Sequence, residues 1–185
     1  MPEMPVLTAV LFGLRGCLIQ ASDATPSPMS GALDALDGLR RQQVPCIWLD
    51  ERDASRDQRL ALPDWLTGHV SNAAPWPAPD ACWQALMSLG IERLEGCVLV
   101  SAEPRLLQAG LNAGLWTVGL AACTPHCGLP YSTWRTITRE EQDCVRGRAT
   151  LALFELGVHS VIDHFEALAP CLDDIAQRRR KGEKP

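Results

Sequence analysis

Short apolar runs alternate with amphipathic segments along most of this chain. The runs are continuous rather than polar-alternating, which is typical of parallel strands buried on both faces. They predict strands at Val6–Phe12, Val44–Leu49, His69–Ser71, Gly96–Val100, Leu115–Leu120 and His159–Ile162. The segments between predict helices at Ser30–Gln42, Glu51–Arg59, Asp80–Leu89, Pro104–Ala113, Thr138–Leu156 and His164–Arg178. Strand–helix alternation predicts an α/β, Rossmann-like fold, with one doubly wound parallel sheet and helices on both faces.

Capping signals support several of the predicted helix ends. Thr138 is followed three residues later by Glu141, the spacing of a capping box. Gly114 and Gly157 follow the last periodic positions of two helices, where a glycine commonly ends a helix. The predicted elements therefore have local as well as periodic support.

The length favours a single domain. The chain has 185 residues, which suffices for one well-packed core but is short for two. Hydrophobic residues make up 46% and charged residues 21%, ordinary values for a globular protein, and no repeat or low-complexity linker interrupts them. We expect one domain over residues 1–185, with residues 176–185 forming a frayed basic tail that includes the run Arg178–Lys181.

Charge and hydropathy narrow the range of partners. The formal net charge of −5 gives no general attraction to nucleic acid or anionic lipid. No apolar stretch approaches the roughly 20 residues that span a bilayer, and no basic segment precedes the first apolar run. Several of the eight cysteines lie inside apolar runs, where a thiol behaves as a small hydrophobic group. These features predict a cytoplasmic protein with reduced thiols and with neither nucleic acid nor membrane as a partner.

The first strand ends in a familiar signature. Ligands of doubly wound sheets bind at the carboxyl ends of the strands, and the first strand continues as Phe12-Gly13-Leu14-Arg15-Gly16-Cys17-Leu18. This resembles the haloacid dehalogenase (HAD) superfamily, in which an apolar strand is followed by Phe-Asp-x-Asp-Gly-Thr-Leu. Phe12, Gly16 and Leu18 match that signature.

The second half of the chain extends the resemblance. Pro77-Ala78-Pro79-Asp80 is similar to the family's entry into a helix, and the run ending in Cys97-Val98-Leu99-Val100-Ser101 is similar to its fourth motif. The stretches Ala109–Gly119 and Leu156–Asp163 resemble the phosphonoacetaldehyde hydrolases in particular. The resemblance runs from about Pro5 to Ala176.

The resemblance implies a catalytic set that this chain lacks. In the family an Asp attacks phosphorus, carboxylates hold Mg²⁺, a basic residue and a Ser or Thr grip the phosphoryl group, and a helical cap supplies a Schiff-base Lys. At the matching positions this chain has other residues. Gly13 stands in place of the nucleophilic Asp, Arg15 in place of the acid/base Asp, and Asp50 in place of the Ser or Thr. Trp76 stands in place of the basic residue, and Ala102 and Leu106 in place of the metal-binding carboxylates. Only ten residues separate Leu18 from Met29, so the resemblance implies a HAD-like core without a cap domain.

Several residues near these positions remain candidates. Asp50, Glu51 and Glu103 could form a new acid/base set or cap helices. Cys17 could be a nucleophile or a packing thiol, and Arg15 could pair with Asp50 or Glu103 or hold an anion. Trp48 and Trp76 could fill the former phosphate pocket or pack in the core. The ligand-binding candidates are therefore Arg15, Cys17, Trp48, Asp50, Trp76, Ser101 and Glu103.

Metal binding and overall function leave alternatives at this stage. Cys123-Thr124-Pro125-His126-Cys127 contains soft ligands but no second ligand pair, so we expect no metal there. The first hypothesis is an inactive HAD-like binding or regulatory module, without cofactor, whose partner is an unknown protein or small ligand. The second is a phosphatase- or phosphonatase-like hydrolase with relocated catalytic groups, and only this one requires Mg²⁺.

Overall fold

Six parallel strands form one sheet in the computed structural model, which describes residues 7–20, 25–71, 74–122, 133 and 135–185. The strands are β1 (Ala9–Gly13), β2 (Cys46–Asp50), β3 (Thr67–Val70), β4 (Cys97–Ser101), β5 (Trp116–Leu120) and β6 (Ser160–Ile162). Their order across the sheet is β3-β2-β1-β4-β5-β6. All five pairings are parallel, and Val10 of β1 lies between Cys46 of β2 and Val98 of β4. The predicted fold class and the central place of β1 are confirmed.

Helices cover both faces of the sheet. They are α1 (Ala32–Arg41), α2 (Arg56–Leu60), α3 (Asp80–Ser88), α4 (Pro104–Asn112), α5 (Arg139–Leu156) and α6 (Leu168–Arg180), with a 3₁₀ turn at Phe165–Ala167. Successive β1 side chains enter opposite cores because side chains alternate along a strand. Val10 and Phe12 pack with residues of α1 and α6, whereas Leu11 packs with residues of α3 and α4.

The capping box is confirmed, but several element bounds differ from the prediction, most of all those of the second helix and the third strand. The Thr138 side chain accepts from the Glu141 N–H, and the Glu141 side chain accepts from the Thr138 N–H. The helix predicted over Glu51–Arg59 is only α2, which begins after its own cap at Ser55. Glu51 is thereby left at the end of β2, and the third strand spans Thr67–Val70 rather than His69–Ser71. Val6 lies outside the described residues.

The first part of the segment expected as a frayed basic tail, residues 176–180, is helical. α6 continues to Arg180, and Ile175 in it is fully buried. The Arg178 guanidinium lies 4.8 Å from the Trp116 ring centroid and donates a 3.1 Å hydrogen bond to the His159 carbonyl. Charge alone suggested solvation, but the long apolar stem and planar head of an arginine also pack well on aromatic surfaces.

Four of the six cysteines that the structure describes, Cys17, Cys46, Cys82 and Cys97, are buried as packing thiols are, whereas Cys144 is exposed. Cys17, Cys46, Cys82, Cys97, Cys144 and Cys171 form no disulfide among themselves. Burial raises the pKa of Cys46 and of Cys82 to about 12, so neither is a thiolate near neutral pH. The Cys123–Cys127 segment lies outside the described residues. No helix in the described ranges combines the length and apolarity needed to cross a membrane.

Gly68→Ala is expected to lower the free energy of unfolding by about 2–3 kcal/mol. A Cβ at Gly68 would overlap the ring atoms Cε2 and Cζ2 of Trp48, which is buried in the core and has no room to move. Gly38→Ala is the matched control, because a Cβ at Gly38 in α1 meets nothing within 4 Å. That change should stabilise the protein by about 0.5 kcal/mol. Urea unfolding measures both, and equal effects would contradict the packing of Trp48 on Gly68.

Candidate functional site

A cleft of about 170 Å³ lies at the carboxyl ends of the central strands. Its walls come from the ends of β1, β2 and β4, the start of α4 and the loop before α3. The lining residues are Gly13, Leu14, Arg15, Leu49, Asp50, Glu51, Arg52, Trp76, Ser101, Glu103, Arg105 and Leu106. Ligand pockets usually measure about 300–1,000 Å³, so this cleft accommodates a small molecule or one chemical group of a larger partner.

Three of the candidate positions do not line this cleft. Cys17 is buried, with its Sγ 3.5 Å from the Val100 carbonyl oxygen. Trp48 lies two residues before the end of β2, so its ring is inside the core against Gly68 rather than at the strand edge. Ala102 is fully buried in the same core. Of the two alternatives for Trp48, the structure shows packing in the core.

The nucleophile position is closed by a neighbouring side chain. Gly13 is the last residue of β1 and is buried. A Cβ at this position would come within 2.7 Å of Ser101 Oγ and 3.4 Å of Leu106 Cδ2. Ser101 Oγ is held there because it accepts a 3.0 Å hydrogen bond from the Glu103 N–H. Ser101 thus occupies the space in which a side chain at position 13 would begin.

Arg15 joins the turn after β1 to the loop after β2. The turn is closed by a 2.8 Å hydrogen bond from the Gly16 N–H to the Ile19 carbonyl, with Gly16 at a φ of 70°. The Arg15 guanidinium forms an ion pair with Asp50, whose side chain is only 9% exposed. It also donates to the carbonyls of Arg52 (3.4 Å) and Asp53 (3.0 Å) and to Gln58 Oε1 (3.1 Å). Of the two predicted roles, pairing with Asp50 is the one observed.

Arg105 joins the start of α4 to two other loops. Its Nη1 lies 3.3 Å from Glu51 Oε2, and its Nη2 donates to the Trp76 carbonyl. The Trp76 N–H in turn donates a 2.8 Å hydrogen bond to Glu51 Oε1. Trp76 is buried and joined to Pro77 by a cis peptide bond, and its Nε1 has no hydrogen-bond partner among the described residues. Asp50 and Glu51 are therefore each neutralised by an arginine.

Glu103 serves as the cap of α4. Its carboxylate accepts a 3.2 Å hydrogen bond from the Arg105 N–H, and Pro104 occupies the first helical position. A carboxylate at this position also offsets the positive end of the helix dipole. The third carboxylate of the cleft therefore has a local structural partner as well.

The residues of the cleft do not fit the Mg²⁺ ion that the resemblance implies. Mg²⁺ requires several oxygen ligands in octahedral geometry. Gly13, Ala102 and Leu106 provide no side-chain oxygen, and Asp50 and Glu51 are already paired with arginines. Over the described ranges, no group of three or more His, Cys, Asp or Glu side chains is placed to hold a metal ion.

Gly13→Ala is expected to lower the free energy of unfolding by about 1–2 kcal/mol, because the new methyl group would displace Ser101 Oγ. Ser101→Ala removes that oxygen and should itself cost about 1 kcal/mol, since the Glu103 N–H loses its acceptor. The double variant should be no less stable than Ser101→Ala alone. A thermodynamic cycle from urea unfolding measures this coupling, and simple additivity of the two changes would contradict the assigned contact.

Sequence comparison relates the chain to named hydrolases. No family model matches it. Curated phosphonoacetaldehyde hydrolases from Salmonella enteritidis and Salmonella typhimurium are 28% and 29% identical over 168 residues. The match covers 86% of this chain and 62% of each relative, so the chain spans less than two thirds of their length.

Structural comparison shows that solved structures share this fold. One crystal structure shares 49% identity with a TM-score of 0.90, covering 97% of this chain and 100% of that chain. A phosphonoacetaldehyde hydrolase-like protein from Oleispira antarctica has a TM-score of 0.75 at 24% identity, over 86% of this chain and 61% of that chain. A HAD family hydrolase from Deinococcus radiodurans, solved with bound phosphate and sodium, has a TM-score of 0.66 at 19% identity. The match covers 94% of this chain and 97% of that chain.

Proposed function

Because this chain has the fold of the HAD superfamily and is related in sequence to phosphonoacetaldehyde hydrolases, we propose that it is a capless, catalytically silent member that acts as a binding or regulatory module. The contact surface in this proposal is the cleft at the carboxyl ends of the central strands. Its occupant is a small ligand or one group of a protein partner.

One observation carries this proposal. Ser101 Oγ fills the space in front of Gly13, where the related enzymes begin their nucleophilic side chain. Phosphoryl transfer depends on a positioned nucleophile and on charge neutralisation at the phosphoryl oxygens. In this cleft the position of the nucleophile is Gly13, which has no side chain. The guanidinium groups of Arg15 and Arg105 form ion pairs with Asp50 and Glu51 instead of facing a phosphoryl group.

The capless part of the proposal rests on the segment between β1 and α1. Between Leu18 and Ala32, the described residues contain bridges to Ile19 and Pro28 but no helix. The curated relatives are longer than the matched region, whereas the 49% identical chain is matched over its full length. Without a cap the cleft is open to water, which favours binding over chemistry that needs a dry site.

A hydrolase with relocated catalytic groups is the second candidate. It is favoured by three carboxylates, Asp50, Glu51 and Glu103, around one cleft, and by the activity named for the relatives. Against it, every one of these carboxylates has a partner that holds it in place. A general acid or base must instead reach the proton it transfers.

Mg²⁺ binding separates the two candidates. Differential scanning fluorimetry with and without Mg²⁺, EDTA and inorganic phosphate is expected to give the same melting temperature in every condition. A metal present at 100 times its dissociation constant would stabilise the protein by about 2.7 kcal/mol. A melting temperature that rises with Mg²⁺ and falls again with EDTA would favour the hydrolase.

A further inference from the structure

Three side chains from different parts of the chain stack at the amino ends of the strands, away from the cleft. The ring of His159, the residue before β6, packs on the ring of Trp116, the first residue of β5, with their centroids 4.9 Å apart. The Arg178 guanidinium of α6 lies 4.8 Å from the centroid of the same Trp116 ring, which is buried. This stack therefore fastens the last turns of α6 to two strands.

The ring nitrogen Nδ1 of His159 is a hydrogen-bond acceptor. The Thr117 backbone N–H donates to it over 3.0 Å, and the Thr117 hydroxyl oxygen lies 3.0 Å from it as well. Because a backbone N–H can only donate, Nδ1 carries a lone pair and the ring proton is on Nε2. Thr117 is fully buried, so the contact requires a neutral imidazole ring.

The charge beside the ring favours the same neutral state. Arg178 donates a 3.1 Å hydrogen bond to the His159 carbonyl and pairs with Glu183 at 2.8 Å. Among the described residues, Arg178 is the charge that acts on the His159 ring, and the two β5 side chains against it are not ionisable. On α6, Asp174 acts on Cys171, a thiol whose pKa is raised by burial. Burial of the ring and then the Arg178 charge lower the pKa of His159.

We infer that His159 is an acid-sensitive latch, whose neutral ring holds the end of α6 on the sheet and whose protonation releases it. In the imidazolium form a proton on Nδ1 points at the Thr117 N–H, so that two donors face each other. The ring charge also faces the Arg178 guanidinium. Both conflicts end when the ring leaves Trp116, and the carbonyl that anchors Arg178 then moves with it. None of these residues lines the cleft, so the inference is independent of the proposed function.

The direction of the pKa shift sets the pH range of the latch. A histidine in an unfolded chain titrates near pH 6.5, and the pKa of His159 in the folded chain lies below that. The open form therefore takes up the proton first as the pH falls. The stability that the neutral ring provides is complete above about pH 7 and is lost progressively below about pH 6.5.

Hydrogen exchange measures the latch where it acts. Between pH 7.5 and 5.5, protection of the amides of Ile175–Arg180 should fall about three- to tenfold after correction for the intrinsic exchange rate, since one proton bound near pH 6.5 allows about tenfold at most. His159→Asn should abolish this pH dependence, because its amide oxygen can accept from the Thr117 N–H and does not titrate. His164→Asn, at an exposed histidine, is the matched control and should retain it.

A nuclear magnetic resonance titration of the histidine rings tests the charge contact without a change at position 159. The His159 midpoint should lie below pH 6.5 in the unchanged protein. Arg178→Gln should raise that midpoint, whereas Arg180→Gln, at an exposed position of the same helix, should leave it unchanged.

Three results would each overturn the latch. They are a His159 midpoint at or above pH 6.5 in the unchanged protein, equal protection of the end of α6 at both pH values, and a midpoint that Arg178→Gln does not move. A folded His159→Asn protein that retains the full pH dependence would overturn it as well. If that variant does not fold, the unchanged protein and Arg178→Gln decide.

Discussion

Arg15→Met is expected to lower the free energy of unfolding by about 3 kcal/mol. Methionine keeps much of the arginine's length and apolar stem but removes its charge and its donors. The Asp50 carboxylate is nearly buried and would lose its counter-charge. The acceptors on Arg52, Asp53 and Gln58 would lose a donor at the same time. Breaking one side of a largely buried pair costs far more than breaking an exposed one.

Urea unfolding measures this effect against two controls. Arg41→Met breaks the ion pair of Arg41 with Asp37, which is exposed on both sides, and should cost less than about 0.5 kcal/mol. Arg15→Met combined with Asp50→Asn removes the unpaired charge and should recover part of the loss. An Arg15→Met effect as small as that of Arg41→Met would mean that Arg15 is free for another role, such as holding an anion.

The sheet could be predicted from the sequence because its strands are buried on both faces. Continuous apolar runs such as Gly96–Val100 have few alternatives to a parallel strand, and right-handed crossovers restrict how successive strands are placed. The resemblance around Gly13 and Ser101 then placed those residues together at the carboxyl ends of the strands. The observed cleft brings both of them together, along with Arg15, Asp50, Trp76 and Glu103.

The side-chain contacts inside the cleft could not be predicted from the sequence, because the spacing of residues along the chain does not determine which side chains meet. Arg105 was not singled out, although it stands two residues after Glu103, at the start of the predicted helix Pro104–Ala113. Its partners, Glu51 and the Trp76 carbonyl, come from two loops that are distant in sequence. The length of α2 was also overestimated, because the polar residues after Asp50 are as compatible with a loop as with a helix.

Trp48 shows the same limit on a smaller scale. Its position near the end of β2 suggested that it lies at the carboxyl end of the strand, where the cleft is, but β2 continues for two more residues to Asp50. The ring packs where Gly68 of the neighbouring strand leaves space. A glycine opposite a tryptophan in a paired register was the available signal, and it requires knowing that β2 pairs with β3.

The largest expected effect is on catalysis. The protein is expected to show no Mg²⁺-dependent hydrolysis of a phosphate monoester or of phosphonoacetaldehyde. Loss of a nucleophile alone can lower a rate by a factor on the order of 10⁶, and here the metal carboxylates are replaced as well. Gly13→Asp, alone or with Arg15→Asp, should gain no turnover, because Ala102 and Leu106 still provide no oxygen ligands for the metal.

The most direct test of the central claim is a turnover assay with purified protein, in which phosphonoacetaldehyde and p-nitrophenyl phosphate are supplied with Mg²⁺ and then with EDTA. The phosphonoacetaldehyde hydrolase of Salmonella typhimurium serves as the positive control for the phosphonate. We expect rates equal to the protein-free background in both conditions. Hydrolysis that rises in proportion to the protein, follows it through a final chromatographic step and is abolished by EDTA would contradict the account.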